Sequence, residues 1–160
     1  MKFWDTSALL PLVLEEPHSH AARLASQATH CYYAWSWLRV EAQAGLARRK
    51  ATAKQWDRLA ELLSVIRYVD IPVGQIDALC RANREWRLRA GDAGHFFCFQ
   101  QASYVIPDLE FVCFDDEITT VAAEARLRLW QPPPAASPSS AVREKRVPYG
   151  QRKRQRTRCG

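Results

Sequence analysis

The sequence predicts an α/β fold, with a mostly parallel sheet of four to five strands and helices on both faces. Short apolar segments at 2–4, 31–34, 67–71 and 111–114 have the length and side chains of buried strands. Stretches with apolar residues at helical spacing separate these segments. Strands that alternate with helices pair in parallel, because each helix carries the chain back to the same end of the sheet.

The helices follow from the apolar spacing and from the residues that begin and end them. Pro11 is tolerated in the opening turn of a first helix, and Pro17 restarts a second. Short polar side chains are expected to cap helix N-termini, and they stand at Asp5, Ser36, Asp92 and Asp115. The predicted helices cover 8–16, 17–28, 37–49, 53–65, 74–88, 93–103 and 115 to about 129.

The chain divides by composition into a domain over 1–130 and a tail over 131–160. The net charge is +6, but residues 132–160 hold eight of the 23 basic and one of the 17 acidic residues, which leaves 15 basic against 16 acidic residues before them. The tail begins rich in Pro and Ser and ends rich in Lys and Arg, a composition that predicts disorder. The run Arg152–Arg156 would either attract RNA nonspecifically or belong to an inert extension.

Several classes of protein are disfavoured by the same composition. No apolar run reaches the roughly 20 residues that cross a bilayer, and the N-terminal run does not resemble a secretory signal. The cysteines are odd in number and lack the spacing of zinc or disulfide frameworks. We therefore expect a cytoplasmic protein without a membrane partner.

Acidic residues stand at the places where a ligand is expected. Asp5 follows the first strand, Asp115 follows the fourth, and Asp92 lies at a helix start. Ligands of open α/β sheets bind at the carboxyl ends of the strands. Glu41 adds a fourth acid within the helix over 37–49, among small and apolar neighbours. Each acid alone has an ordinary explanation as a cap or a solvated side chain.

The four acids together favour a metal site. Two carboxylates about 4 Å apart repel by roughly 4 kcal/mol at an effective dielectric constant near 20. A cation is therefore expected among them, and oxygen ligands favour Mg²⁺ or Mn²⁺ over zinc. Such an ion lowers the pKa of a bound water and offsets charge on a phosphoryl group, which is the chemistry of a phosphodiesterase or nuclease.

Four segments carry a family resemblance: 1–10, the pair at 40–41 with Ala42 and Leu46 after it, 88–95 and 114–118. They resemble the four motifs of PIN domains and, more narrowly, those of VapC-type ribonuclease toxins, over about residues 1–130. The resemblance implies a PIN-like α/β/α sandwich and a Mg²⁺-dependent endoribonuclease. It also implies a homodimer that a cognate antitoxin neutralises.

The site residues that the resemblance implies are an acidic cluster for catalysis, comprising Asp5, Glu41, Asp92 and Asp115. The metal ligands among them are Asp5, Asp92 and Asp115. Asp116 adjoins Asp115, so either residue is a candidate for the fourth acid. The sequence departs from the family pattern at Cys113, where a Ser or Thr is common, and in the bulky run Phe96–Phe99.

For several other residues the sequence allows both a role in the site and an ordinary structural role. Thr6 and Ser7 would either bind metal water or only cap a helix. Arg87 and Arg89 would contact RNA phosphates or lie on a solvated surface. His95 either touches RNA or packs, and packing is favoured. Trp35 and Trp37 would stack on bases or, as we favour, belong to the core or a dimer interface.

Two other functions are compatible with the sequence. A phosphohydrolase with Asp5 as nucleophile would typically place a second Asp two residues later, where this chain has Ser7. A catalytically degenerate PIN fold would bind RNA or protein, with the basic tail as the element that supplies affinity.

Overall fold

Four short strands and seven α-helices make up residues 1–133, the part of the chain that the computed structural model describes. The strands are β1 (Lys2–Trp4), β2 (Tyr32–Trp35), β3 (Ile66–Val69) and β4 (Glu110–Val112). The helices are α1 (Thr6–Leu9), α2 (Ser19–Gln27), α3 (Leu38–Arg48), α4 (Ala53–Ser64), α5 (Ile76–Trp86), α6 (Ala90–Val105) and α7 (Asp116–Glu124). Short 3₁₀ turns precede α2 and α5, at Leu10–Leu12 and Val73–Gln75.

The strands form a single parallel sheet in the order β3–β2–β1–β4, which confirms the predicted fold class. In the register, Phe3 of β1 lies opposite Tyr33 of β2 and Phe111 of β4. The chain moves outward from β1 to β3 and then returns to β4 on the other side of β1. The strand order therefore reverses between β1 and β4, which is where open α/β sheets bind ligands.

The core has two halves because neighbouring strand residues point to opposite faces of the sheet. Trp4 and Val112 pack on the face covered by α1–α4, together with buried leucines of those helices. Phe3 and Phe111 pack on the other face, against α6 and α7. Burying a side chain of this size stabilises the fold by about 1.5–3 kcal/mol.

The bulky run on α6 has a structural explanation in this second half of the core. Phe99 stacks on Phe111 with ring centroids 4.6 Å apart, and Phe96 meets the edge of Trp86 at 4.7 Å. Both phenylalanine side chains are fully buried. The bulky side chains at 96–99 therefore replace the small residues of the family pattern by packing against aromatic residues of the elements next to α6.

Two predicted N-caps are wrong. Ser36 does not cap α3: Trp37 occupies the cap position without a side-chain bond, and the Ser36 hydroxyl donates to Asp70 after β3. Asp92 does not cap α6, which begins two residues earlier at Ala90 and has Arg89 at its cap position. Gly91 lies inside the first turn of α6.

Pro11 accounts for the short first helix. The predicted helix over 8–16 is only α1 followed by the turn that holds Pro11, and α2 begins at Ser19 rather than at Pro17. Pro11 lacks the N–H that a continuing α-helix would use.

The last helix ends earlier than predicted, at Glu124 instead of about Leu129. Arg126 takes a left-handed backbone conformation (φ 55°), and the chain then turns back to the sheet. The Phe111 N–H donates to the Arg128 carbonyl, and the Trp130 N–H donates to the Phe111 carbonyl. These bonds pair the outward-facing N–H and carbonyl of Phe111 on β4. Pairing with the sheet therefore replaces the final part of the predicted helix.

None of the helices within residues 1–133 combines the length and the apolar character needed to span a membrane. The predicted tail, 131–160, lies outside the described residues except for its first three, and so does the basic run Arg152–Arg156.

Candidate active site

The carboxyl ends of the central strands open into a cavity of about 390 Å³ that all four predicted acids line. The acids come from four separate parts of the chain and are brought together only by the fold. The remaining lining residues are Thr6, Ser7, Leu10, Trp37, Val40, Ala44 and Arg48. A larger cavity of about 580 Å³ lies between α3 and α4, but none of its lining residues is a carboxylate.

Asp5 and Asp115 are N-caps as well as cavity residues. Asp5 Oδ2 accepts from the Ser7 N–H at 2.8 Å, and Asp115 Oδ1 accepts from the N–H groups of Glu117 and Ile118 at 3.0 and 3.1 Å. Each cap uses one carboxylate oxygen. The other oxygen of each acid faces a basic group, so capping and a role in the cavity are compatible.

Glu41 is held in place on α3 by residues from two other helices. The Thr6 hydroxyl donates to Glu41 Oε2 at 2.5 Å, and His95 Nε2 lies 2.7 Å from the same oxygen. Burial favours the neutral acid, but the hydrogen bonds from His95 and Thr6, with the charges of His95 and Arg48, hold the pKa of Glu41 below its usual value. Glu41 is therefore an ionised and oriented carboxylate.

His95 lies beneath the acids and joins two of them. Its side chain is almost completely buried, and its Nδ1 lies 3.7 Å from Asp5 Oδ1, too far for a hydrogen bond. That nitrogen has no hydrogen-bond partner within residues 1–133. Burial favours the neutral imidazole, but the charges of Asp5, Glu41 and Asp92 outweigh it and raise the pKa of His95.

Sequence reasoning missed this role, although one signal was available. His95 stands three residues after Asp92 on the same helix, a spacing that places two side chains on one face. The prediction that His95 packs is correct as far as its burial goes. It omits the contact with Glu41.

Arg89 holds the other two acids. Its Nε donates to Asp92 Oδ2 at 2.8 Å, and its Nη2 donates to Asp115 Oδ2 at 3.2 Å. Burial raises the pKa of Asp92, the charges of Asp115 and Asp5 raise it further, and Arg89 opposes the shift. The repulsion expected among the acids is therefore present, and Arg89 and His95 partly offset it.

The remaining predicted residues divide between the cavity and its surroundings. Thr6 contacts Glu41, whereas the Ser7 hydroxyl accepts from the Phe114 N–H at 3.0 Å and so ties α1 to the end of β4. Asp115, not Asp116, lines the acidic cavity. Asp116 and Arg87 both line a separate cavity between α5 and α7.

Cys113, the residue that departs from the family pattern, lies behind the acids. Its sulfur is 3.6 Å from the Ser7 hydroxyl oxygen and 3.4 Å from the Asp115 N–H nitrogen, which donates to it. Burial and the charge of Asp5 raise the pKa of the Cys113 thiol. It is therefore a neutral thiol that packs beneath the cap of α7.

The oxygen donors of the cavity suit Mg²⁺. The acids and Thr6 supply carboxylate and hydroxyl oxygens, and Mg²⁺ in proteins commonly uses one or two carboxylates and keeps several waters. Among residues 1–133, no three His, Cys, Asp or Glu side chains are arranged closely enough to hold an ion by themselves. Within the described residues the acids therefore do not form a three-ligand metal site by themselves, and the assignment of Asp5, Asp92 and Asp115 as ligands of Mg²⁺ stays a prediction.

No protein-family model matches the chain, and no curated protein matches it significantly.

Proposed function

We propose that the protein is a Mg²⁺-dependent endoribonuclease and the toxin component of a toxin–antitoxin pair. One observation carries the proposal: four acids from distant segments line a single cavity at the point where the strand order of the sheet reverses. Buried or partly buried like charges destabilise a fold, so their assembly favours a functional explanation. The resemblance of the four acidic segments to PIN-domain motifs supplies the class of substrate.

The roles of the residues follow from their surroundings. A bound Mg²⁺ would supply a water of lowered pKa and offset charge on the scissile phosphate. Asp5, Asp92 and Asp115 are the residues that would hold the ion. Glu41 uses Oε2 for Thr6 and His95, which leaves Oε1 to accept hydrogen bonds from water and orient it.

The test is the Asp5→Asn variant, which keeps the shape of the side chain and removes its charge. We expect it to abolish Mg²⁺-dependent cleavage of single-stranded RNA and to relieve growth arrest on expression. Asp116→Asn is the matched control, because Asp116 lies outside the acidic cavity and should leave cleavage unchanged. Full activity and full toxicity of Asp5→Asn would contradict the proposal.

The two basic residues among the acids favour a second candidate, a degenerate PIN fold that binds RNA or protein without catalysis. Arg89 and His95 already neutralise part of the acidic charge. In this case RNA would be retained equally with Mg²⁺ and with EDTA, and deletion of 132–160 would abolish retention. Cleavage that requires Mg²⁺ and Asp5 would exclude this candidate.

The proposed partners are RNA as substrate, a cognate antitoxin as inhibitor and a second copy of the chain in a homodimer. Light scattering on the purified protein measures the dimer. An antitoxin is expected to suppress cleavage by occupying the acidic cavity, so its complex should protect Glu41 and Asp92 from carbodiimide modification.

A further inference from the structure

Trp37 forms one wall of the acidic cavity and of a second cavity beside it. The second cavity has a volume of about 350 Å³ and is lined by Ser36, Trp37, Arg39, Val40 and Gln43. Trp37 and Val40 line both cavities, so the two cavities adjoin at the start of α3, and together they are called the groove. The Trp37 side chain is 47% exposed along it.

The indole of Trp37 is supported from behind. It stacks on Trp35, with ring centroids 6.1 Å apart and an interplanar angle of 29°. Trp35 in turn meets the edge of His95 at 5.3 Å and packs so tightly on α6 that a methyl group on Gly94 would lie 2.2 Å from its ring. Trp37 is therefore an aromatic platform on a rigid support, which favours binding because little side-chain freedom is lost.

The charges along the groove change sign with distance from the acids. Arg39 is exposed in the second cavity, where no lining residue is acidic, and Arg48 is exposed at the edge of the acidic cavity. A polyanionic strand would therefore find cations on either side of the acids. Stacking requires an open base face, and only single-stranded nucleic acid offers one.

Building on the proposed nuclease function, we propose that this groove binds single-stranded RNA, with a base beside the cleaved phosphodiester stacked on Trp37. Arg39 and Arg48 contact the flanking phosphates. Trp37 is then a substrate-binding residue for any sequence, because every base has a face that stacks.

The experiment measures binding of a fluorescein-labelled ten-nucleotide single-stranded RNA to the full chain by anisotropy, in EDTA to prevent cleavage. Trp37→Ala should weaken binding about tenfold, since one stacked base contributes about 1–3 kcal/mol. Trp37→Phe should retain most of the affinity. The matched control is Tyr104→Ala, an exposed aromatic about 18 Å along α6 from Asp92, which should bind like the wild type.

The phosphate contacts have their own readout. Arg39→Gln should reduce the slope of log affinity against log salt by about 0.7, the value for one phosphate contact on a single strand. Arg81→Gln, an exposed arginine on α5, should leave the slope unchanged. An unchanged slope for Arg39→Gln would overturn its assignment.

Three results would overturn the stacking proposal. The first two are no RNA binding by the wild type and equal RNA affinities of Trp37→Ala and Tyr104→Ala. The third is that Trp37→Ala loses RNA affinity only because it dissociates an oligomer, which light scattering would detect. The last result would assign the Trp37 surface to a second copy of the chain. Cleavage in Mg²⁺ is measured separately. RNA binding that depends on Trp37, without any cleavage, would refute the nuclease function. The proposal that the groove binds RNA would still hold.

Discussion

A methyl group added to Gly91 would lie 2.7 Å from Oε1 of Glu41, so the bare backbone of α6 leaves room for that carboxylate. Gly91 is helical and is not required by any unusual backbone angle. Its place in the first turn of α6 is explained by the side chain of α3 that lies against it. This contact offers a way to move Glu41 without removing a chemical group.

Gly91→Ala should lower RNA cleavage strongly while the fold remains stable. The carboxylate of Glu41 must shift away from the new methyl group, and misplacement of a catalytic group by about 1 Å lowers rates about 100-fold. Alanine also favours a helix over glycine by about 0.5–1 kcal/mol. Cleavage rates and urea unfolding measure the two effects. Gly74→Ala is the control, because its methyl group meets nothing within 4 Å. Equal activity of both variants would contradict the expected displacement of Glu41.

Gly94→Ala should instead destabilise the fold. The added methyl group would lie 2.2 and 2.4 Å from carbons of the Trp35 ring, which cannot bend away as a carboxylate can. Either α6 or β2 must shift, at a cost of about 1–3 kcal/mol in the free energy of unfolding. Urea midpoints compared with those of Gly74→Ala measure the loss. A midpoint equal to that of the wild type would show that α6 adjusts freely.

In EDTA, the stability of the wild type should fall as the pH rises through the raised pKa of His95. Because that pKa is higher in the folded than in the unfolded protein, the charged imidazole contributes its full stabilisation below about pH 6.5, the ordinary value. The contribution is lost as the proton leaves the folded state. His95→Gln should flatten this part of the pH profile of the free energy of unfolding, whereas His20→Gln, an exposed control on α2, should not. Identical profiles for wild type and His95→Gln would contradict the contact with Asp5 and Glu41.

Mg²⁺ should raise the melting temperature of the wild type. A ligand at 100 times its Kd stabilises the folded state by about 2.7 kcal/mol. The effect should disappear in Asp92→Asn and persist in Asp116→Asn, because Asp92 lines the acidic cavity and Asp116 does not. Scanning calorimetry with Mg²⁺ and with EDTA measures the shift. An equal shift in all three proteins would place the ion elsewhere.

The alternation of short apolar strands and helices was sufficient to predict a parallel α/β sheet, and Asp5 and Asp115 were predicted correctly as caps. These features depend on residues that are near in sequence: a strand end, a short carboxylate and the next free N–H groups. That Asp5 and Asp115 lie at one edge of the sheet was expected from the same logic, because the ends of parallel strands share that edge.

Contacts between distant segments decided the ends of several helices and the surroundings of the acids. Helix α6 begins at Ala90 and not after Asp92, and Gly91 in its first turn lies against Glu41, 50 residues away in the chain. The Ser36 hydroxyl bonds to Asp70 instead of capping α3, and the end of the predicted last helix turns back to pair with β4. The amino-acid sequence by itself determined which segments are strands and which acids stand at their ends. Only the tertiary structure decided that His95 and Arg89 are the basic residues between those acids, because long-range packing sets the distances on which charge interactions depend.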